Sequence, residues 1–282
     1  MTVDIRPGKA AGTVIAPPSK SVAHRLLICA GLSEGQSVIR NVAFSEDILA
    51  TLDVLKAMGA RIETSGDTVT IAGCDARRAR YPGRISCRES GSTLRFFIPL
   101  LALSGTQFLL TGQGRLMERP QTVYETLFHE QGLIFQRTGD LLKVQGPLSP
   151  GHYTLRGDIS SQFFTGLLLA LPLLNAPSRI TLLPPVESRS YIDLTLDALR
   201  QFGVTAQWAS ETELYIPGKQ RYRRQYTSVE GDWSNAAFFE ALAAMGDDVA
   251  VEGVSDGSIQ GDRVCQPRAA RILQDSPRPS TK

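Results

Sequence analysis

The sequence predicts an α/β protein assembled from repeated α-β-α-β-β modules, with helices inside and sheets outside. Two periodic markers carry that reading. Ser21, Ser92, Ser161 and Ser234 lie near the starts of four similar stretches, SKSVAHRLLICAGLSEG, SGSTLRFFIPLLALSG, ISSQFFTGLLLALPLLNA and DWSNAAFFEALAAMG, spaced about 70 residues apart. Gly59, Gly132 and Gly203 end LDVLKAMGA, TLFHEQGL and LDALRQFGV and repeat the same period. A glycine there suits a helix end at which the chain must turn left-handed. Between the two helices of each module lie β-rich stretches at 37–42, 107–111 and 178–183. Strand pairs follow at 61–64 with 69–72 and at 133–137 with 141–145, turned by Gly66-Asp67 and Gly139-Asp140.

The fourth module starts at Val229 and is not completed. A second-helix glycine is due near position 275, where Asp275 stands with Pro277 and Pro279 just beyond. The stretch 264–282 is rich in Arg, Pro, Ser and Gln and is expected to be a disordered tail.

Composition excludes several classes of function. A chain of 282 residues has material for about two domains and a sizeable core. Thirty Lys+Arg against 28 Asp+Glu leave a net charge of +2, too balanced for a dedicated nucleic-acid binder. Cys29, Cys74, Cys87 and Cys265 form no C-x-x-C pair, and His24, His129 and His152 are equally scattered. Reduced thiols and no metal site are expected. The apolar run 163–174 is too short to span a bilayer, and no signal pattern opens the chain, so a soluble cytoplasmic protein is expected.

The chemistry concentrates at the Ser-rich helix starts. In PPSKSVAHR two prolines end an extended segment, and Ser19 or Ser21 is a natural cap for the helix that follows. Ser21 and Arg25 lie one turn apart with Lys20 beside them. Hydroxyls, a guanidinium fork, an ammonium and free backbone amides favour an anion with several oxygens. The bland alternative is a capped surface helix with two solvated cations. Glu89-Ser90-Gly91-Ser92-Thr93-Leu94-Arg95 repeats the theme: Gly91 allows close backbone approach and Arg95 interrupts an apolar run. The third instance is Asp158-Ile159-Ser160-Ser161-Gln162. Arginines also gather in the connectors Arg115–Pro120 and Ser188-Arg189-Ser190-Tyr191. Arg119 has Glu118 and Glu125 in reach and is read as an ion-pair partner. Arg115 follows Gly112 and Gly114 and is read as a ligand-binding residue. No P-loop, dinucleotide fingerprint or Ser-His-Asp spacing is present. The residues by themselves specify a small, multiply anionic ligand and no more.

PPSKSVAHR, SGSTLR, LTGQGRLMERP, GDISSQF, ESRSYID and EGDWSNAAFF, in this order, closely resemble the motifs of the 3-phosphoshikimate 1-carboxyvinyltransferase (EPSP synthase) family of enolpyruvyl transferases, from about Val14 to Asp262. The sister UDP-N-acetylglucosamine enolpyruvyl transferases match less well, carrying Lys-Asn where this chain has Lys20-Ser21. The resemblance implies a two-domain enolpyruvyl transferase-like fold. A complete three-module domain is expected over 18–228, and an incomplete second domain over 1–17 with 229–263. It implies transfer of the enolpyruvyl group of phosphoenolpyruvate to the 5-hydroxyl of shikimate 3-phosphate with release of phosphate, without a cofactor and by a monomer. By resemblance Lys20, Ser21, Arg25, Ser160, Ser161, Gln162, Ser188 and Tyr191 hold shikimate 3-phosphate. Lys20, Gly91, Arg115 and Gln162 meet phosphoenolpyruvate, with Lys20 as the one catalytic residue present. The family's acid and base residues lie in its last third, which has no counterpart here, so impaired turnover is expected. A non-catalytic ligand-binding remnant is the alternative, with exposed apolar surface where further modules would pack.

Overall fold

The computed structural model describes residues 8–265. The chain divides into two compact units, Lys20–Val229 and Met1–Ser19 with Glu230–Lys282.

The smaller unit opens with β1 (Ala11–Ile15), and the larger unit follows. Its first module comprises α1 (Lys20–Leu32), β2 (Ser33–Glu34), β3 (Gln36–Arg40), α2 (Glu46–Met58), β4 (Arg61–Ser65) and β5 (Thr68–Ala72). The second comprises β6 (Arg84–Ser86), α3 (Gly91–Leu101), β7 (Gln107–Thr111), α4 (Thr122–Glu130), β8 (Ile134–Thr138) and β9 (Leu141–Gln145). The third comprises β10 (His152–Arg156), α5 (Ser161–Ala170), β11 (Ser178–Leu183), α6 (Arg189–Gln201), β12 (Gln207–Trp208) and β13 (Glu213–Ile216). Strands β14 (Tyr222–Arg223) and β15 (Tyr226–Ser228) end the unit, and α7 (Trp233–Ala244) and β16 (Asp248–Glu252) return to the smaller one.

Each module has a strand that the α-β-α-β-β pattern omits. The four-stranded sheets run β6-β7-β9-β8, β10-β11-β13-β12 and β15-β3-β5-β4. In each, a leading strand pairs in parallel with the strand between the two helices. For the first module that place is taken by β15 from the far end of the unit, with Tyr226 opposite Val38 and Ser228 opposite Arg40. These strands have three to five residues, and their partners lie beyond a whole helix or beyond three modules. No hairpin signal could announce them.

Helices α1, α3 and α5 form the interior. Every residue of α1 from Ala23 to Leu32 is buried, and α3 and α5 are buried almost throughout. The sheets lie outside and bury alternate residues, such as Phe108 and Leu110 of β7 against Val144 and Leu142 of β9. Full burial of each such side chain contributes about 1.5–3 kcal/mol. The caps fall one or two residues earlier than the repeated serines. Ser90 caps α3, Ser160 caps α5 and Asp232 caps α7, so Ser92, Ser161 and Ser234 lie inside the first turn. Ser21 is likewise inside α1, which begins at Lys20. Gly59, Gly132 and Gly203 all adopt positive φ at the ends of α2, α4 and α6.

The outer helices lock the inner three together with one repeated device. Thr51, Tyr124 and Thr195 each stand eight residues before their module's glycine. Thr51 Oγ1 meets His24 of α1 and Thr93 of α3 at 2.8 and 2.9 Å. Tyr124 donates to the carbonyls of Arg95 in α3 and Phe163 in α5. Thr195 Oγ1 meets Thr165 of α5 at 3.0 Å and Arg25 of α1 at 2.9 Å. Inner helices one, two and three are thereby joined into a closed ring.

In the smaller unit β1 and β16 pair in parallel, Ala11 opposite Asp248 through Ile15 opposite Glu252. Trp233 is fully buried against Ala16, Ala236, Val251 and Val254. Helix α7 is apolar on most sides yet buries only Trp233 and Ala236, leaving Phe238 74% exposed. Of the stretch 264–282, residues 266–282 lie outside the described residues.

Gly166 sets the closest approach of α5 to its neighbours. A Cβ there would lie 2.3 Å from Tyr124 Oη and 2.4 Å from the Arg95 carbonyl oxygen. Gly166→Ala is expected to destabilise the fold by about 1–3 kcal/mol, read as a lower denaturant midpoint with an unchanged slope.

Candidate functional site

The starts of α1, α3, α5 and α6 meet along one rim of the larger unit, and the sequence-derived site residues other than Arg115 lie on it. Lys20 and Ser21 open α1, Gly91 opens α3, Ser161 and Gln162 open α5 behind their cap Ser160, and Ser188 and Tyr191 flank the start of α6. Hydrogen bonds show that these starts are adjacent. Gln162 is held at both ends of its amide by α3: Oε1 accepts from Arg95 Nη1 at 2.8 Å and Nε2 donates to Ser92 Oγ at 2.9 Å. Arg25 ties the carbonyl of Ser21 in α1 to that of Tyr191 in α6, at 2.7 and 3.1 Å. Lys20 Nζ lies 2.7 Å from Asp47 Oδ2 at the start of α2. Each helix start adds unpaired amides and a positive dipole end, so the rim favours anions.

Two arginines exchange the places that the sequence suggests for them. Arg115 is 88% exposed and pairs through Nε with Glu118 at 3.0 Å. Arg119 instead reaches the rim: a Cβ at Gly91 would lie 2.8 Å from its Nη1, with Gln162 Oε1 3.8 Å away. The reason is local. The single turn Leu116–Glu118 buries Leu116 and Met117, which leaves Arg115, Glu118 and Arg119 exposed, with the Arg119 guanidinium reaching back toward Gly91. Gly91 is therefore the residue that admits Arg119, since any side chain at 91 would displace it.

Arg25 and Arg95 are less free than their charges suggest. Arg25 is 3% exposed, and four of its five N–H groups are spent on Thr195 Oγ1, Thr165 Oγ1 and the carbonyls of Ser21 and Tyr191. Its guanidinium also lies 5.5 Å from the Phe96 ring centroid, and burial lowers its pKa to about 10, still protonated at neutral pH. One N–H remains for a ligand. Arg95 stacks 4.6 Å over Phe163 and donates to Gln121, the Pro120 carbonyl and Gln162. Its work is to hold Gln162.

Ser160 Oγ accepts from the Gln162 amide, while Ser161, 8% exposed, makes no side-chain hydrogen bond among the described residues. Ser188 adopts φ 56° and ψ 30°, the left-handed region, and its side chain makes no capping bond. A non-glycine residue there costs about 1–3 kcal/mol, and such outliers cluster at ligand sites. Beneath the rim lies a buried polar network that sequence reasoning missed. Asp47, Thr51, Ser90 and Thr93 read singly as ordinary helix-start and helix residues, and His24 as one of three scattered histidines. Burial pushes the Asp47 carboxyl up, but hydrogen bonds from Lys20 and Ser90 and the Lys20 charge outweigh it and hold it below its ordinary value. Burial drives His24 down to about 3, against the pull of the Asp47 carboxylate and with the push of Arg25 and Lys20. Among the described residues no cluster of His, Cys, Asp and Glu could hold a metal, and no helix is long and apolar enough to cross a membrane.

The family model of EPSP synthase (3-phosphoshikimate 1-carboxyvinyltransferase) matches residues 5–275. The chain belongs to the EPSP synthase family. A 3-phosphoshikimate 1-carboxyvinyltransferase of Clostridium kluyveri is 46% identical over 275 residues, 97% of this chain and 63% of the relative. One from Clostridium perfringens strain 13 is 40% identical, over 98% of this chain and 66% of the relative. The solved EPSP synthase of Acinetobacter baumannii superposes with a TM-score of 0.76 at 26% identity, covering 89% of this chain and 57% of that one. The chain thus spans about two thirds or less of the length of these EPSP synthase relatives.

His24 gives a pH signature. Its folded pKa of about 3 lies below the ordinary 6.5, so between those values the unfolded chain binds the extra proton. Stability is complete above pH 6.5 and falls as pH drops toward 3, by about 1.4 kcal/mol per pH unit in the middle of that window. Denaturant unfolding at pH 7 and pH 5 should show this loss in the wild type and a smaller one in His24→Asn.

Proposed function

We propose that the larger unit carries the shikimate 3-phosphate side of an enolpyruvyl transferase site. The observation that carries this is the convergence of four helix starts on one rim, where Gln162 is fixed at both ends and Lys20, Ser21, Ser160 and Ser161 open beside it. Lys20 is the proposed charge partner and catalytic residue. Ser160, Ser161 and Ser188 supply hydroxyls for the substrate phosphate, and Tyr191 lines the ring. Arg25 offers its one free N–H and chiefly fixes the geometry. Gly91, Gln162 and Lys20 are assigned to phosphoenolpyruvate, with Arg119 taking the place that the sequence suggests for Arg115.

The reaction suits such a rim. The 5-hydroxyl oxygen gives up its proton and adds to the phosphate-bearing carbon of phosphoenolpyruvate while the methylene carbon gains a proton. The carbon–oxygen bond to phosphate then breaks, the methyl group loses a proton to restore the double bond, and phosphate leaves. Both substrates are anions, and charge spreads over oxygens as addition proceeds. Fixed donors in a partly dry site stabilise it without reorganising. The domain reading, 18–228 as the shikimate 3-phosphate domain with 1–17 and 229–263 as part of a second, belongs to the same proposal, as do a cytoplasmic setting and a monomeric chain.

Calorimetric titration of the chain with shikimate 3-phosphate tests the reading. Saturable binding should weaken roughly 10- to 100-fold in Lys20→Ala and in Ser161→Ala, the range for a hydrogen bond to a charged group. Absence of binding by the wild type would sink it. Phosphoenolpyruvate added to the saturated complex separates the two arginines. Arg119→Ala should abolish its heat of binding and Arg115→Ala should leave it unchanged.

A further inference from the structure

We propose that Arg189 and Trp208 are positioning residues: the guanidinium, clamped on the indole, holds Ser188 in its left-handed backbone conformation and so keeps a free hydroxyl at the start of α6. This role rests on the reading above that Ser188 meets the substrate phosphate. Ser188 has φ 56° and ψ 30°. A left-handed non-glycine residue persists only where its surroundings impose that conformation. Two others in the larger unit tie themselves down with their own side chains. Asn41 donates to the Val229 carbonyl at 2.7 Å, and Arg88 reaches Asp53 at 2.8 Å. Ser188 is exposed, and its side chain makes no hydrogen bond among the described residues. Its neighbours must therefore do the holding.

Both neighbours are anchored. On one side the Glu187 amide donates to the Gly157 carbonyl at 2.9 Å. On the other the Arg189 guanidinium lies 4.1 Å from the Trp208 ring centroid, and its Nη1 donates to the Glu211 carbonyl at 3.3 Å. A planar, weakly hydrated guanidinium is suited to stacking on an aromatic face. Trp208 is fixed in its turn. It stands in β12 opposite Leu214 of β13, and its Nε1 donates to Asp193 Oδ1 at 2.8 Å. Asp193 follows Arg189 by four residues on α6, so the indole spans the first turn of that helix and grips it at both ends.

The clamp gives Arg189 a use that its charge alone does not suggest. A connector arginine beside a proposed phosphate site reads most simply as a ligand of that phosphate. Here its face is turned to Trp208 and one N–H is spent on a backbone carbonyl. Ser188 keeps what Arg189 gives up: an exposed hydroxyl with no partner among the described residues, on a backbone held from both sides. The Ser188 carbonyl also accepts from the Tyr191 amide at 3.1 Å, which joins it to the first turn that the indole grips. A hydroxyl held in this way needs little further ordering when an anion arrives.

A double-mutant cycle read by calorimetry with shikimate 3-phosphate tests the proposal. Trp208→Leu removes the stacking face without changing charge and should weaken binding roughly two- to tenfold, the range for a cation–aromatic contact. Trp208→Phe keeps a ring face and should recover most of that loss. In a Ser188→Gly background Trp208→Leu should cost nothing further, because glycine enters the left-handed region unaided and has no hydroxyl to hold. An equal loss in both backgrounds marks a merely structural role and overturns the proposal. So does unchanged or tighter binding by Trp208→Leu, the latter meaning that a freed Arg189 meets the phosphate itself. A second measurement needs no ligand. The Cα and Cβ NMR shifts of Ser188 should report the left-handed conformation in the wild type and lose it in Trp208→Leu. Arg189→Met, at an exposed position, supplies the same readout should Trp208→Leu unfold. Unchanged shifts in a folded variant overturn the clamp. If the wild type takes up no shikimate 3-phosphate, the substrate reading fails and these shifts alone decide whether Arg189 and Trp208 hold Ser188.

Discussion

The larger unit depends on one buried cation. Arg25 sits where α1, α5 and α6 meet, with the Phe96 ring of α3 beside it, and a desolvated guanidinium is tolerable only when its donors are matched. Thr165, Thr195 and two backbone carbonyls supply the match. Those partners come from residues 21, 165, 191 and 195, so the cation is satisfied only after the first and third modules have packed together around it. Removing one partner would strand a buried charge, which costs far more than the bond itself contributes. Leucines and phenylalanines supply most of the burial free energy. Arg25 selects one arrangement of the helices that carry them.

That arrangement is also what makes the rim. Because the modules repeat, three inner helices point their starts the same way, and each start brings unpaired amides. Small residues occupy the mouth, and the larger polar groups behind it are already committed. Gln162 is spent on Arg95 and Ser92, Arg25 on two threonines and two carbonyls, and Asp47 on Lys20. A ligand meets groups whose positions were fixed during folding, so little ordering remains to oppose binding. The strained backbone of Ser188 fits the same picture, since surrounding packing must hold such a residue in place.

The smaller unit differs in kind. Its parallel pair β1 and β16 is joined through residues more than two hundred positions apart, and Trp233 is its principal buried anchor. Around that anchor α7 presents Phe238 and Met245 to solvent. A helix with apolar residues on most sides belongs in an interior. Its sequence therefore carries more burial than the described contacts use.

Much of this was legible without coordinates. The period marked by Ser21, Ser92 and Ser161, and again by Gly59, Gly132 and Gly203, fixes the module, its helix ends and the helix starts that bear the site, because helix caps and left-handed turns are short-range chemistry. The family motifs marked most of the rim in the same way. The leading strands β6, β10 and β15 escaped because a parallel pairing is decided by a partner far along the chain. Arg115 and Arg119 were exchanged because four residues of spacing do not say which guanidinium reaches Gly91; the burial of Leu116 and Met117 orients the turn only once a core exists to receive them. His24, Thr51, Thr93 and Ser90 are unremarkable one by one and become a chain only when α1, α2 and α3 are packed. The sequence determined the modules and the kind of chemistry at their starts. Tertiary structure alone decided which donors are free and which are spent, since hydrogen bonds between helices depend on distances that no local pattern encodes.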